Sequence, residues 1–457
     1  MLGSRVGPWV LVAVCFLSSV VRSAEIPAKE RIVVLVTVDG FPYWIWKDPS
    51  LSMPTLRKIA AEGAVGSMQP INPSITWPNH TTLVTGANSS KHGVMYNGLL
   101  TRGAPGKPAK FEQWADKKNM VRIPTVYDAA FKAGLTTAHV DWPASQNSGT
   151  FSWEFTELSD PKGVLENEMV AAGAMTRTDL DELRKRNIVF RDEIWTRAGE
   201  FLIAKHQPNF LLFHLLTTDS LNHKYGPGTI SSFTAYAFTD TCLKRLIGAL
   251  EAAGYKDKFT LIVTTDHGFK TATKLIRSDA VLRKENYMHR EGPVVKTCDV
   301  FSKSYGGSTF LYITDPAKKA ELTPKLKEIF SKIEGVEKVY DPTEYAAIGL
   351  GQPTDNEQVG DLFVTGKPGY AFTDAFTEGE IVVDQKAEPN SYAGHHGYYN
   401  GDPELNGTFI AYGYGIKKGV TLEDFSNLQV APTIAKLLGI ALPDADGKPL
   451  ENALELK

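Results

Sequence analysis

Three cysteines in 457 residues are too few for a disulfide-built scaffold. One of them, Cys15, falls in the first 24 residues, which leaves Cys242 and Cys298. That pair allows one disulfide at most, and Cys242 sits in an apolar helical stretch where burial as a small hydrophobe is equally natural. No run of lysine or arginine occurs and the formal charge is −3, which argues against a general nucleic-acid-binding surface. Internal repeats and low-complexity tracts are absent, so solenoid and disordered classes drop out. Beyond residue 24 no apolar run approaches the roughly 20 residues that span a bilayer. What remains, 42% apolar and 22% charged residues, is the composition of a globular protein with a large core.

The beginning of the chain differs from the rest. Arg5 precedes the apolar run Trp9–Leu17, and the small residues Ser23-Ala24 close it. This is the pattern of a secretory leader, cut near Ala24-Glu25, so the mature chain is expected to be exported, periplasmic or extracellular. Loss of Arg5 and Arg22 with the leader moves the formal charge from −3 to −5.

Downstream, Ile32–Val38 is an unbroken, mostly β-branched run ending in Asp39-Gly40, as suits a parallel strand buried on both faces. Helix signals over Pro54–Glu62, Asn79–Val84, Val126–Lys132, Asp179–Lys205 and Thr234–Ala253 alternate with strand signals over Thr136–Val140, Phe210–Leu216 and Phe259–Thr265. Alternation of this kind predicts an α/β fold: a mostly parallel central sheet with helices on both faces. Leu100–Val121, rich in Gly, Pro and Lys, reads as a surface excursion, and Pro143–Met175 as a wall of the approach to the site. From about 281 to 392 the pattern changes to short strands around a helix near Thr323–Ile333, an inserted α+β lobe. The sheet resumes with Gly407–Tyr412, and a helix over Asn427–Leu438 closes the fold. The expected organisation is a leader over 1–24 and one catalytic domain over 25–457, carrying the lobe.

In such sheets reactive groups gather at the carboxyl ends of the strands. Three predicted strands lead into acids there: Asp39, Asp219 and Asp266. His223 follows Asp219 by four residues, one helical turn, so both share a face. His267 adjoins Asp266, and the loop Gly394-His395-His396-Gly397 supplies further imidazole. Carboxylate and imidazole are zinc ligands, about four per ion. Two divalent ions about 4 Å apart neutralise phosphoryl oxygens and align an in-line displacement. A hydroxyl nucleophile is offered by Thr76, between the turn Pro73-Ser74 and a predicted helix start. Alone it is an ordinary capping threonine; beside these ligands it has a role. Three carboxylates against two dications leave about one positive charge, which a Thr76 alkoxide would cancel, a balance suited to a phosphodiester anion.

These segments resemble the nucleotide pyrophosphatase/phosphodiesterase family of the alkaline phosphatase superfamily. The similarity runs through Val36-Thr37-Val38-Asp39-Gly40-Phe41, Thr76-Trp77-Pro78-Asn79-His80, Leu83–Gly86, His92-Gly93-Val94 and Trp142–Ser145. It continues through Asp219 with His223, Thr265–Gly268, Gly360-Asp361-Leu362, Lys367–Tyr370 and His396-Gly397, most of the mature chain in the family's order. The resemblance implies an alkaline-phosphatase-like fold and a Thr76 nucleophile that forms a phosphothreonine. It implies two Zn2+ ions, one held by Asp219, His223 and His396, the other by Asp39, Asp266 and His267 with Thr76. It implies that Asn97 donates to a non-bridging phosphate oxygen. Trp77 stands where the family usually has Phe, one side of a base-stacking slot, and offers a larger face.

The Cys or Ser setting of the sulfatases and the Asp-Ser-Ala segment of the alkaline phosphatases are missing, whereas phosphonoacetate hydrolases share the Thr and metal logic. The expected function is a two-zinc phosphodiesterase or nucleotide pyrophosphatase releasing a nucleoside 5′-monophosphate. The alternatives are carbon–phosphorus or phosphomonoester cleavage on the same site, and a non-catalytic binding protein on this fold. The expected partner is a small phosphodiester or nucleotide, with no stable nucleic-acid complex and no membrane span in the mature chain. Asn79, Asn88 and Asn406 open glycosylation sequons, Asn79 being poorly placed beside the nucleophile.

Overall fold

Val33 and Leu35 pack on one face of the first strand, while Ile32, Val34, Val36 and Val38 pack on the other. Both faces of this strand are therefore buried, which is why its sequence is apolar without alternation. The structure, a computed structural model, describes residues 3, 26–375, 379–388 and 390–456. Gly3 apart, the expected leader lies outside the described residues.

The main sheet takes its strands in chain order as β1 (Ile32–Val38), β2 (Ala64–Gln69), β3 (Thr137–Val140), β4 (Trp153–Phe155), β5 (Phe210–Leu215), β6 (Phe259–Thr264), β7 (Gly407–Gly413), β8 (Val420–Thr421) and β9 (Phe425–Ser426). Their order across the sheet is β8-β2-β7-β6-β1-β5-β3-β4, with β9 also pairing with β2. All pairings are parallel except those of β7 with β2 and β6. The helices that matter below are α1 (Pro54–Ala61), α2 (Thr76–Thr85), α3 (Val126–Lys132), α4 (Ile188–Phe201), α5 (Thr217–Tyr225), α6 (Ile230–Ala252) and α7 (Val430–Leu438). One core joins α1, α4 and α6 to the sheet through Leu56, Trp195, Tyr236 and Leu243. The opposite core joins α2, α3 and α7 through Leu83, Tyr127 and Ile434. This is the expected mixed, mostly parallel sheet between two helical layers.

A four-stranded antiparallel sheet of Val300–Ser304, Ser308–Ile313, Leu362–Gly366 and Val336–Tyr340 carries the helix Lys319–Ser331. Another sheet centres on Lys270–Arg277, which pairs with Gly369–Thr373, Val382–Asp384 and Gly394–His395. This strand lines up the segment before His396 with the one after His267.

Several expectations need correction. The helix expected over 179–205 is two helices, Arg177–Glu182, capped by Thr176, and α4, because a second N-cap interrupts it: Asn187 accepts from Phe190 N–H. The segment Leu100–Val121 is more than a surface excursion, since Leu100, Ala115 and Met120 are buried and 99–101 pairs with 110–112. Within Pro143–Met175, Trp153–Phe155 adds an edge strand to the main sheet. The helix expected from Asn79 starts three residues earlier, so Thr76 is its first residue. Cys242 and Cys298 are both buried and unpaired to each other, as free thiols. Among the described residues no helix is long and apolar enough to cross a membrane.

Candidate active site

β6, β1 and β5 are adjacent, so the acids that follow them arrive at one place on the sheet's carboxyl edge. Asp39 follows β1, Asp266 follows β6, and Asp219 lies in the first turn of α5, just after β5. The carboxylate of Asp192 receives the N–H groups of Leu216 (3.0 Å) and Thr217 (2.9 Å), which anchors the start of α5 from within the core. The turn after Asp39 needs glycine. Gly40 has φ +66°, and a Cβ there would sit 2.5 Å from the Phe269 ring. Tyr236 and Asn222 donate to the Gly40 carbonyl at 2.8 and 2.9 Å, fixing the turn from α6 and α5.

The imidazoles are aimed by backbone carbonyls. Nδ1 of His223 lies 2.9 Å from Gly394 O, Nδ1 of His267 lies 3.2 Å from Gly268 O, and Nδ1 of His396 lies 3.3 Å from Ser74 O. With Nδ1–H donated in this way, each ring presents an unprotonated Nε2 to the site, the tautomer a metal ion requires. His395 is turned the other way, its Nε2 3.0 Å from Tyr392 O. The glycine after His396 is required too: Gly397 has φ +77°, and a Cβ would overlap the Tyr305 carbonyl.

The ligand-type atoms fall into two groups. Asp39, Asp266 and His267 form one, with His267 Nε2 3.1 Å from Asp266 Oδ2 and 3.6 Å from Asp39 Oδ1. In the other, Asp219 Oδ1 lies 3.4 Å from His223 Nε2 and 3.8 Å from His396 Nε2. His267 also belongs with Asp219 and His396, its ring stacked on that of His396 at 3.8 Å. The expectation assigned His267 to one group alone; the structure puts it between both.

Asp39 Oδ1, Asp219 Oδ1, Asp266 Oδ2 and His267 Nε2 are buried without any hydrogen-bond partner. Each such atom costs about 1–3 kcal/mol, and the four converge. Burial, and then the charges of Asp266 and Asp219, push the Asp39 carboxyl well above its usual range. Burial and Asp266 push Asp219 up to about 8. Burial lowers His223 to about 4, and burial with His267 and His223 lowers His396 well below its usual value. Crowded carboxylates and neutral imidazoles are a donor set that divalent cations complete.

Thr76 opens α2 after the extended Ile75, beside the backbone N–H groups of a helix start. Upstream, the buried Asn79 side chain accepts from Ile71 N–H and donates to Pro73 O and Ile75 O, holding the loop before Thr76. Asn97 Oδ1 accepts the Trp77 N–H at 2.9 Å, so the NH2 end of this amide is the one available to a ligand. Two cavities flank the centre. One, of about 300 Å³, is lined by Thr76, Asn97, Trp77, Trp114, Trp142 and Asp219. The other, of about 510 Å³, reaches His223 and His396 from the side of the two smaller sheets. The Trp77 and Trp114 rings lie 5.7 Å apart at 52°.

Sequence reasoning missed the supporting pair His214 and Asp141. His214 Nε2 lies 3.0 Å from Asp39 Oδ2 and its Nδ1 3.1 Å from Asp141 Oδ2. Burial opposes the charge on this imidazole, but Asp141 and Asp39 outweigh it and hold its pKa well above the usual value. Asp141 itself is raised to about 7 by burial and adopts φ 54°, a strained conformation for a non-glycine residue. The one available signal was a histidine inside the otherwise apolar strand Phe210–Leu215.

Comparison with known proteins identifies the family. The profile of the family described as type I phosphodiesterase / nucleotide pyrophosphatase matches residues 33–399. Ectonucleotide pyrophosphatase/phosphodiesterase family member 7 of Mus musculus is 24% identical over 444 residues, covering 96% of this chain and 90% of its own. Family member 5 of Homo sapiens is 23% identical, covering 91% of this chain and 76% of its own. Among solved structures, murine ectonucleotide pyrophosphatase/phosphodiesterase 5, an inactive form in complex with AMP, superposes with a TM-score of 0.67 at 18% identity. It covers 93% of this chain and 100% of its own. The human counterpart gives the same TM-score and coverage. A profile match over most of the chain, on a fold whose sheet edge gathers this donor set, means that the chain belongs to the type I phosphodiesterase/nucleotide pyrophosphatase family, enzymes that hydrolyse phosphodiester bonds.

Proposed function

We propose that this enzyme cleaves phosphodiester or pyrophosphate bonds through a phosphothreonine on Thr76, retaining a nucleoside 5′-monophosphate until water releases it. The observation that carries the reading is the convergence of four partnerless buried atoms, on Asp39, Asp219, Asp266 and His267, next to a cavity that Thr76 lines. Asp219, His223 and His396 would hold one Zn2+, and Asp39, Asp266 and His267 with Thr76 the other. Bound zinc supplies Lewis acidity, neutralising phosphoryl oxygens and favouring the ionised form of a hydroxyl.

Within that frame the residues have distinct tasks. Thr76 Oγ, giving up its proton, attacks phosphorus in line; the Oγ–P bond forms as the bond to the leaving oxygen breaks, and water then attacks phosphorus, breaking the Oγ–P bond and returning a proton to the Thr76 oxygen. The Asn97 NH2 donates to a non-bridging oxygen, and the first-turn N–H groups of α2 add partial positive charge there. His214 holds Asp39, and Asn79 holds the loop that aims Thr76. Trp77 and Trp114 offer broad faces to a nucleobase in the Thr76 cavity. The AMP bound by the murine relative supports a nucleotide as the retained group.

Charge supports a diester over a monoester. Among the described residues no Lys or Arg lines the Thr76 cavity, and the His214 imidazole there is already paired with Asp141 and Asp39. Nothing there meets the second negative charge of a monoester. The leader expected at 1–24 would export the enzyme, and the catalytic domain with its inserted segment at 281–392 would follow.

The test is Thr76→Ala in zinc-replete protein. Turnover of a nitrophenyl nucleotide diester is expected to vanish while about two zinc per chain remain bound. Wild-type-like turnover in that variant would sink the reading, and initial rates on matched monoester and phosphonate substrates should fall well below those on the diester.

A further inference from the structure

The leaving group of an in-line displacement departs on the side of phosphorus opposite the nucleophile. Thr76 lines the smaller cavity and is absent from the lining of the larger one, which His223 and His396 border. Asn97 is common to both, so the two cavities meet at the reacting centre. The departing oxygen therefore moves into the larger cavity, and the chemistry of that lining bears on which alcohols the enzyme accepts.

That lining is aromatic and acidic. Tyr96, Tyr305, Phe372 and Tyr392 supply rings, and Asp374 and Glu388 supply carboxylates. No Lys or Arg is among the described residues that line it. Both of those carboxylates already hold a cation. Lys303 Nζ lies 2.6 Å from Asp374 Oδ2 and over the rings of Tyr96 and Phe111, at 5.0 and 5.2 Å. Arg277 Nη2 lies 2.5 Å from Glu388 Oε2, with both partners buried. Ser304 N–H adds a hydrogen bond of 2.7 Å to Asp374 Oδ1, which fixes this carboxylate at the wall. A pyrophosphate leaving group would bring negative charges beyond the oxygen that the proposed Zn2+ meets, against a wall whose carboxylates already hold Lys303 and Arg277, so neither cation is left to pair with them. An ammonium or an uncharged aryl group would meet favourable partners on the same surface.

We infer that the cavity bordered by His223 and His396 is a leaving-group site for neutral or cationic alcohols, so that the enzyme prefers phosphodiesters with such leaving groups to nucleoside polyphosphates. This rests on the phosphodiesterase reading given above and narrows it to a substrate class.

The test uses the full-length zinc-loaded protein and three aryl esters of thymidine 5′-monophosphate. Their phenols are matched in acidity and carry a remote trimethylammonium, no charge, or a sulfonate. The cationic ester is expected to exceed the sulfonate ester by about tenfold in kcat/KM at low salt, with the neutral ester between them. Asp374→Asn, which frees Lys303, should pull the cation-to-sulfonate ratio toward or below one. Lys303→Met, which leaves Asp374 without its cation, should raise it. Opposite movement of one ratio in two variants does not arise from general damage to the fold. A sulfonate ester cleaved as efficiently as the cationic one, or a ratio that neither variant moves, would overturn the inference. Failure to cleave any of the three would overturn the phosphodiesterase reading itself.

Discussion

His214 Nε2 lies 3.0 Å from Oδ2 of Asp39, and the contact is built into the sheet. β5 runs parallel to β1 in a register that pairs Thr37 with His214. The imidazole thus reaches the carboxylate that ends the neighbouring strand, leaving Asp39 Oδ1 for the metal-type cluster. Partners of this kind behind a ligand typically account for about 10- to 100-fold in metal affinity or activity. His214→Ala should lower zinc affinity and kcat/KM together by about that factor, as read by chelator competition and by diester turnover. Unchanged zinc affinity in a folded variant would remove His214 from any positioning role.

Asn97 has two duties that one substitution separates. Its Oδ1 accepts the Trp77 N–H at 2.9 Å, and its NH2 is the proposed donor to phosphate. Asn97→Asp keeps the acceptor and loses the donor. Thermal stability and zinc content should stay near wild type while kcat falls by about 100-fold or more. A parallel loss of stability and rate would mean that the Trp77 contact is the residue's main task.

Removal of metal has a structural consequence as well as a catalytic one. Three carboxylates and three imidazoles converge with four partnerless buried atoms. Dialysis against a chelator should abolish turnover and lower the melting temperature, and added Zn2+ should restore both. A melting temperature indifferent to the chelator would argue that this cluster takes no ion.

Acid sensitivity has an identifiable contributor away from the cluster. His92 is fully buried, with Nε2 3.1 Å from Thr82 Oγ1 and Nδ1 accepting from Val94 N–H at 3.2 Å. Thr82 spends its own hydroxyl proton on Ala87 O, so the neutral ring is satisfied at both nitrogens. Burial depresses the His92 pKa from 6.5 to about 3. The neutral form is favoured by folding, so this stability is present above pH 6.5 and is lost as pH falls toward 3. Urea midpoints should therefore drop from pH 7 to pH 4.5, and the drop should be shallower in His92→Gln. Equal slopes would show that other groups dominate acid unfolding.

The asymmetry of what could be read in advance follows from chain distance. Strands such as Phe210–Leu215 and Phe259–Thr264 announce themselves because both faces are buried and their residues are almost all apolar. The helix over 179–205 misled because its apolar periodicity continues across a break at which the Asn187 side chain caps a new helix. Leu100 and Met120 lie in a segment whose Gly, Pro and Lys content suggests solvent, yet they are buried in separate apolar clusters, with Tyr305 and with Trp77 respectively. Asp39, Asp219, Asp266 and the histidines stood out as candidate ligands because a ligand must be one of few residue types and, in this fold class, lies at a strand end.

The sequence by itself determined the alternation that makes the α/β sheet, the donor types at its carboxyl edge and the candidate threonine ahead of a helix. These depend on local periodicity and on the chemistry of single side chains. Only the tertiary structure decided that His214 and Asp141 stand behind Asp39, that His267 lies between two groups of candidate ligands, and that acids and tyrosines wall the cavity bordered by His223 and His396. Each of those relationships joins residues far apart in the chain, and strand order and register, rather than any local pattern, bring them within reach.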